Sequence, residues 1–163
     1  MKKTLMTVCS AALLSLFLIA GFAVQNADAQ NRNGGNFGLG VMLGEPTGIT
    51  PKVWTGDNRA FAGGVAWSFS GRSSLHMHLD YQIHNFNLIQ VERGAMSFYY
   101  GIGGRFLIRE DRDDKLGIRL PLGLNYLFAN DPIELFMEVA PVLDLAPSTD
   151  FSANGGIGVR YYF

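Results

Sequence analysis

The residues of this chain that could do chemistry recur two positions apart. His76-x-His78-x-Asp80 is the sharpest local motif. On an extended strand, residues i, i+2 and i+4 point to one face, so two imidazoles and a carboxylate can converge on a divalent metal. Glu134 or Glu138 would complete such a set if folding brought them near. The spacing alone is a weak metal signal. The competing reading makes His76, His78 and His84 members of a polar network. Its other members share their phase on other segments: Lys52, Asp80, Arg105, Arg119, Glu134, Glu138, Asp144 and Arg160. We adopt the network and expect neither metal nor cofactor.

Ser73 and Ser74 stand beside His76 and raise a hydrolase as an alternative, for example one that modifies lipid. Such chemistry needs nucleophile, base and orienting acid within hydrogen-bond reach at the lipid-facing wall. The alternation instead turns His76 toward the polar face. The chain also lacks a G-x-S-x-G elbow. No catalytic residue and no enzyme activity are expected. The glycines of residues 101–104 lack the Lys-Ser/Thr ending of a phosphate loop and fall inside a strand pattern. Cys9 is the single cysteine, so thiol chemistry is not expected of the mature chain. The net charge is −1 with no basic stripe, which argues against nucleic acid.

The elements that must position these residues are strands. Residues 1–29 read as a cleaved signal peptide: Lys2 and Lys3, an apolar run over 11–24, and Ala27-Asp28-Ala29. Residues 30–35 are a polar, flexible lead-in, and 36–163 form one domain. The 48% hydrophobic content is dispersed in alternation, which suits a β-barrel and not a helical membrane protein. Eight strands are expected: 37–43, 49–54, 60–69, 75–85, 96–108, 116–128, 133–145 and 155–163. The fourth is the cleanest. Leu75, Met77, Leu79, Tyr81 and Ile83 point one way; His76, His78, Asp80, Gln82 and His84 point the other. Pro121 and Pro141 each delete a ladder hydrogen bond, so a bulge or break is expected at both. The loop over 109–115 is the most charged; such a run is most often simply solvated, with lipid phosphates or divalent cations as the alternative contacts. Residues 146–154 are expected as the last loop.

The chain end carries the clearest two-faced pattern. Ile157, Val159, Tyr161 and Phe163 make an apolar face, against Gly156, Gly158, Arg160 and Tyr162. A closed barrel in a membrane removes the open edge that such a strand would otherwise expose. The ending resembles the C-terminal signal that the assembly machinery reads on bacterial outer-membrane barrels. Further stretches carry a wider resemblance: Gly44-Glu45-Pro46-Thr47-Gly48, residues 76–86, Tyr99-Tyr100-Gly101-Ile102-Gly103-Gly104-Arg105, and residues 124–130. With them the chain resembles small eight-stranded barrels of the OmpA/OmpX type. It is more closely similar to a family of short, functionally uncharacterised outer-membrane β-barrel proteins.

The resemblance implies a location and a fold but no reaction. It implies an antiparallel up-and-down transmembrane barrel in the outer membrane of a Gram-negative cell. The even strand count puts both chain ends on one side, expected to be the periplasm, and the oligomeric state is left open with a monomer expected. The protein's partners would be outer-membrane lipid, lipopolysaccharide and the assembly machinery, its role structural or surface-interacting. OmpA/OmpX barrels usually carry long outer loops. Here every loop is short, which weakens an adhesin reading. A soluble lipocalin-like binder remains the other class. It would turn the apolar face inward, and that face holds more Phe, Leu and Tyr volume than eight strands enclose.

Overall fold

The computed structural model describes residues 34–68, 74–109 and 113–163. Residues 1–33, which hold the expected signal peptide and most of the lead-in, lie outside the described residues, as do 69–73 and 110–112. The chain forms β1 (Phe37–Glu45), β2 (Gly48–Trp54), β3 (Arg59–Ser68), β4 (Ser74–Asn85), β5 (Ala95–Arg109), β6 (Lys115–Arg119), β7 (Leu122–Leu127), β8 (Ile133–Ala146) and β9 (Asp150–Tyr162). All are antiparallel in one sheet. β9 pairs with β8 on one side and with β1 on the other, which closes the sheet into a barrel. Among the described residues no helix is long and apolar enough to cross a membrane, a fact that does not bear on strands.

Nine strand segments occupy eight positions around the ring, because β6 and β7 both lie between β5 and β8. The expected single strand over 116–128 is divided at Leu120-Pro121. The ring proline of residue 121 has no N–H to give to β5, although its carbonyl still accepts from Gly101 N at 2.9 Å. Pro141 was expected to break its strand as well. β8 instead runs through it without interruption. The reason is placement. Its carbonyl accepts from Leu120 N at 3.0 Å, so its nitrogen faces the gap already opened at Leu120-Pro121. One interruption absorbs both missing donors. The ladder does slip by one residue, but between Leu116 and Gly117.

The last strand begins at Asp150, so the loop expected over 146–154 shrinks to residues 147–149. The tightest turn, at Pro46-Thr47, is fastened by the Thr47 hydroxyl. Its Oγ1 accepts from Gly44 N at 3.1 Å and donates to Gly44 O at 2.8 Å. Gly44 has φ +149°, and a Cβ there would sit 2.2 Å from Gly155 O across the β1–β9 pair. Only glycine meets both demands.

The alternation is inverted relative to a water-soluble domain. Outside, Leu43, Ile102, Met137, Val139 and Ile157 are more than half exposed. Inside, Lys52, Asp80, Arg119, Glu134 and Asp144 are at most 1% exposed. The arrangement of a lipocalin-like barrel, apolar inside and polar outside, is therefore not the one found.

Candidate functional site

The interior is built by pairing large side chains with small ones across the ladder. Tyr162 faces Gly38, Arg160 faces Gly40, and Phe136 faces Gly158. His78 faces Gly64, Asp80 faces Gly103, and Tyr99 faces Gly123. A Cβ on Gly64 would lie 2.2 Å from the His78 ring, and one on Gly123 would lie 2.4 Å from the Tyr99 ring. A narrow barrel has room for one substantial side chain per such pair. The glycine-rich composition is thus a packing requirement of the lumen.

Nearest the chain ends, Trp54, Ala60, Leu127 and Tyr162 form a buried apolar plug, with Phe86 and Ala95 packed against it. The His84 ring lies 4.4 Å from Trp54 and 4.9 Å from Tyr99, and His84 Nδ1 is 2.9 Å from Ser97 Oγ. Ser97 Oγ in turn donates to Asn125 Oδ1. Trp54 Nε1 donates to Tyr162 Oη at 2.9 Å, and Tyr162 Oη donates onward to Glu134.

Glu134 is the first hub. Lys52 Nζ donates to its two oxygens at 3.0 and 3.3 Å, and Arg160 donates at 2.9 Å. Lys52 on β2 and Glu134 on β8 are separated by β1 and β9, so this pair crosses the lumen. Arg160 also donates to Thr50 Oγ1 at 2.7 Å, and its guanidinium lies 3.7 Å from the centre of the Phe136 ring. Lys52 Nζ lies 4.3 Å over Trp54. Each cation therefore meets a carboxylate and an aromatic face, as burial of charge demands.

Glu138 is the second hub. It accepts from Tyr99 at 2.9 Å, from Gln82 at 3.3 Å and from Arg119. Arg119 Nε lies 3.1 Å from Asp80 Oδ1, an ion pair without the alignment of a hydrogen bond. β4, β5, β6 and β8 are tied here through one carboxylate. Toward the far end, Asp144 joins Arg105 to Lys115, and Lys115 bridges Asp144 and Asp150 at 2.9 Å each.

The eleven residues expected in the lumen all point inward, but the charged ones form two hubs and a rim pair. His78 is not drawn into either hub. Its Nε2 is 3.9 Å from Asp80 Oδ2 and its Nδ1 has no hydrogen-bond partner. The His76 and His78 rings meet edge to face at 5.8 Å. The metal set considered for His76, His78 and Asp80 is not assembled. Glu134 and Glu138 are taken by other partners, and among the described residues no three of His, Cys, Asp and Glu converge as metal ligands. Ser73 lies outside the described residues. Ser74 sits at the strand end, paired with Ser68 and Arg109.

Sequence reasoning did not single out Trp54, Tyr99, Tyr162 and Thr50 as working members of the network. The signal was present. Trp54 and Thr50 share parity with Lys52, and Tyr162 with Arg160, so a hydroxyl or indole N–H on a charged face had to find a partner. The Lys115–Asp150 bridge was not legible, since it required the early start of β9. The four residues of the terminal apolar face point outward. Ile157 and Phe163 are the most exposed of them, and Phe163 N donates to Phe37 O at 2.9 Å.

No curated protein matches the chain. Among solved structures, the N-terminal β-barrel domain of Pseudomonas aeruginosa OprF is similar, with TM-score 0.56 and 15% identity, covering 80% of this chain and 100% of that one. At that identity the likeness speaks for the barrel fold alone. The family described as "Protein of unknown function (DUF3996)" matches residues 28–161, and the chain belongs to it.

Proposed function

We propose that this protein is an integral outer-membrane β-barrel whose lumen is closed by its own side chains, with a structural or surface-interaction role and no catalysis. The observation that carries the reading is the inverted ring: an exposed apolar wall around a buried, charged interior. An exposed apolar surface of that extent is costly in water and is the natural contact for lipid hydrocarbon. The closed ring leaves no unpaired edge, which a spanning sheet requires. The OprF barrel domain shares the closed barrel fold. The partners in this reading are membrane lipid, lipopolysaccharide and the assembly machinery, with both chain ends toward the periplasm. The Lys52–Glu134 and Arg119–Asp80 ion pairs join strands that are not neighbours, which supports a rigid, ion-tight body.

Fractionation of a Gram-negative host expressing the full chain tests the placement. The mature protein is expected in the outer-membrane fraction, resistant to extraction by alkaline carbonate. Recovery in the soluble periplasmic fraction would overturn the reading.

A further inference from the structure

The barrel mouth at the chain-end side holds a cleft that shares only its back wall with the luminal network. It has a volume of about 650 Å³ and lies between the β2–β3 turn, the end of β4 and the loop that follows it, and β5 and β7. The lining combines aromatic rings with amides: Phe86 and the half-exposed Tyr100, which reaches the cleft from the outer face of β5, on one hand, Asn58, Asn85 and Asn87 on the other, with the Asp57 carboxylate at the rim. His84 and Leu127 close the back.

The walls are held in place. His84 N donates to Asn58 O at 2.8 Å, which fastens the β2–β3 turn to β4. Asn87 N donates to Asn85 Oδ1 at 3.0 Å, which sets the start of the loop. Phe86 stacks on His84 at 6.1 Å and tilts against Trp54 at 6.2 Å, so its ring is anchored from behind by the plug.

The lining chemistry selects among ligand classes. No lysine or arginine lines the cleft, and its one formal charge is the Asp57 carboxylate, so it is poorly suited to a phosphate or carboxylate ligand. A purely apolar ligand would leave the amides desolvated without partners. The Asn58 and Asn87 amides offer donors and an acceptor, and Asn85, whose Oδ1 takes Asn87 N, offers its donors, which matches adjacent hydroxyls. Aromatic faces match the C–H faces of a pyranose ring. The volume is within the range of small-ligand sites, about 300–1,000 Å³.

From this juxtaposition of aromatic faces, amides and one carboxylate at the barrel mouth, we propose that the cleft binds a neutral saccharide. The proposal uses the barrel fold and not its placement in a membrane.

The test uses the mature protein refolded in a sugar-free zwitterionic detergent, in a Trp67→Phe background. Trp54 is then the only indole, since the chain has two tryptophans. Its emission is followed during titration with a tetramer of N-acetylglucosamine and, separately, with maltotetraose. A saturable change is expected with at least one of them, with a dissociation constant in roughly the millimolar range. Asn87→Ala and Tyr100→Ala should each weaken it about five-fold while the refolded protein still shifts on an unboiled gel. Which saccharide saturates distinguishes an N-acetylated glycan from a plain glucan. Absence of saturation with both, an unchanged curve in both variants, or an equal response to inorganic phosphate would overturn the proposal. Should the protein fold without detergent, the outer-membrane reading fails, and the same titration in plain buffer still decides the saccharide question.

Discussion

Glu134 is where the residue scale is most informative. It takes Lys52, Arg160 and Tyr162 onto two oxygens inside a closed wall. Removing it leaves two buried cations without a counter-charge, and breaking a buried pair from one side typically costs about 3–5 kcal/mol. Glu134→Ala should therefore lower the unfolding free energy by about that amount, read from urea unfolding in lipid vesicles. Glu134→Gln keeps the shape and part of the hydrogen bonding and should lose less. Equal stability of all three proteins would mean that the hub does not hold the barrel. His78 gives the opposite expectation. It joins neither hub, so His78→Gln should change stability by less than about 1 kcal/mol in the same assay.

At the scale of elements, the strands were largely legible because period-2 alternation marks which residues share a face. The fourth strand shows this best: expected over 75–85, it is found as Ser74–Asn85 with His76, Asp80, Gln82 and His84 buried. What alternation could not supply was the third dimension. Pro121 and Pro141 look equivalent in the sequence, yet one interrupts its strand and the other is accommodated. That outcome depends on which neighbour each nitrogen faces after the ring has closed. Lys52 and Gln82, which reach Glu134 and Glu138 from strands not adjacent to β8, were invisible for the same reason, whereas Arg160 stands directly opposite Glu134 on β9. Ring closure itself makes a prediction at this scale. A Cβ on Gly40 would lie 1.9 Å from Val159 O across the β1–β9 pair. Gly40→Val should therefore block closure, seen as loss of the compact, protease-resistant form after refolding. Gly56→Ala, where a Cβ meets nothing within 4 Å, should refold like the parent.

On the scale of the whole molecule, the apolar wall and the filled lumen answer different questions. The wall decides where the protein resides. The filling decides whether anything passes through it. Two hubs and an aromatic plug fill the lumen, so the intact protein in a planar bilayer should show no steady conductance. Sustained channel activity of the unmodified protein would show that the filling rearranges or leaks. The proposed placement rests on the wall and the closed ring, and it is tested most directly by heat-modifiability of the mature protein after refolding. If the wall faces hydrocarbon, the protein refolds only with detergent or lipid. An unboiled sample then migrates differently from a boiled one on a denaturing gel and resists protease. A protein that folds and remains monodisperse in plain buffer, with no such shift, would contradict the account at its centre.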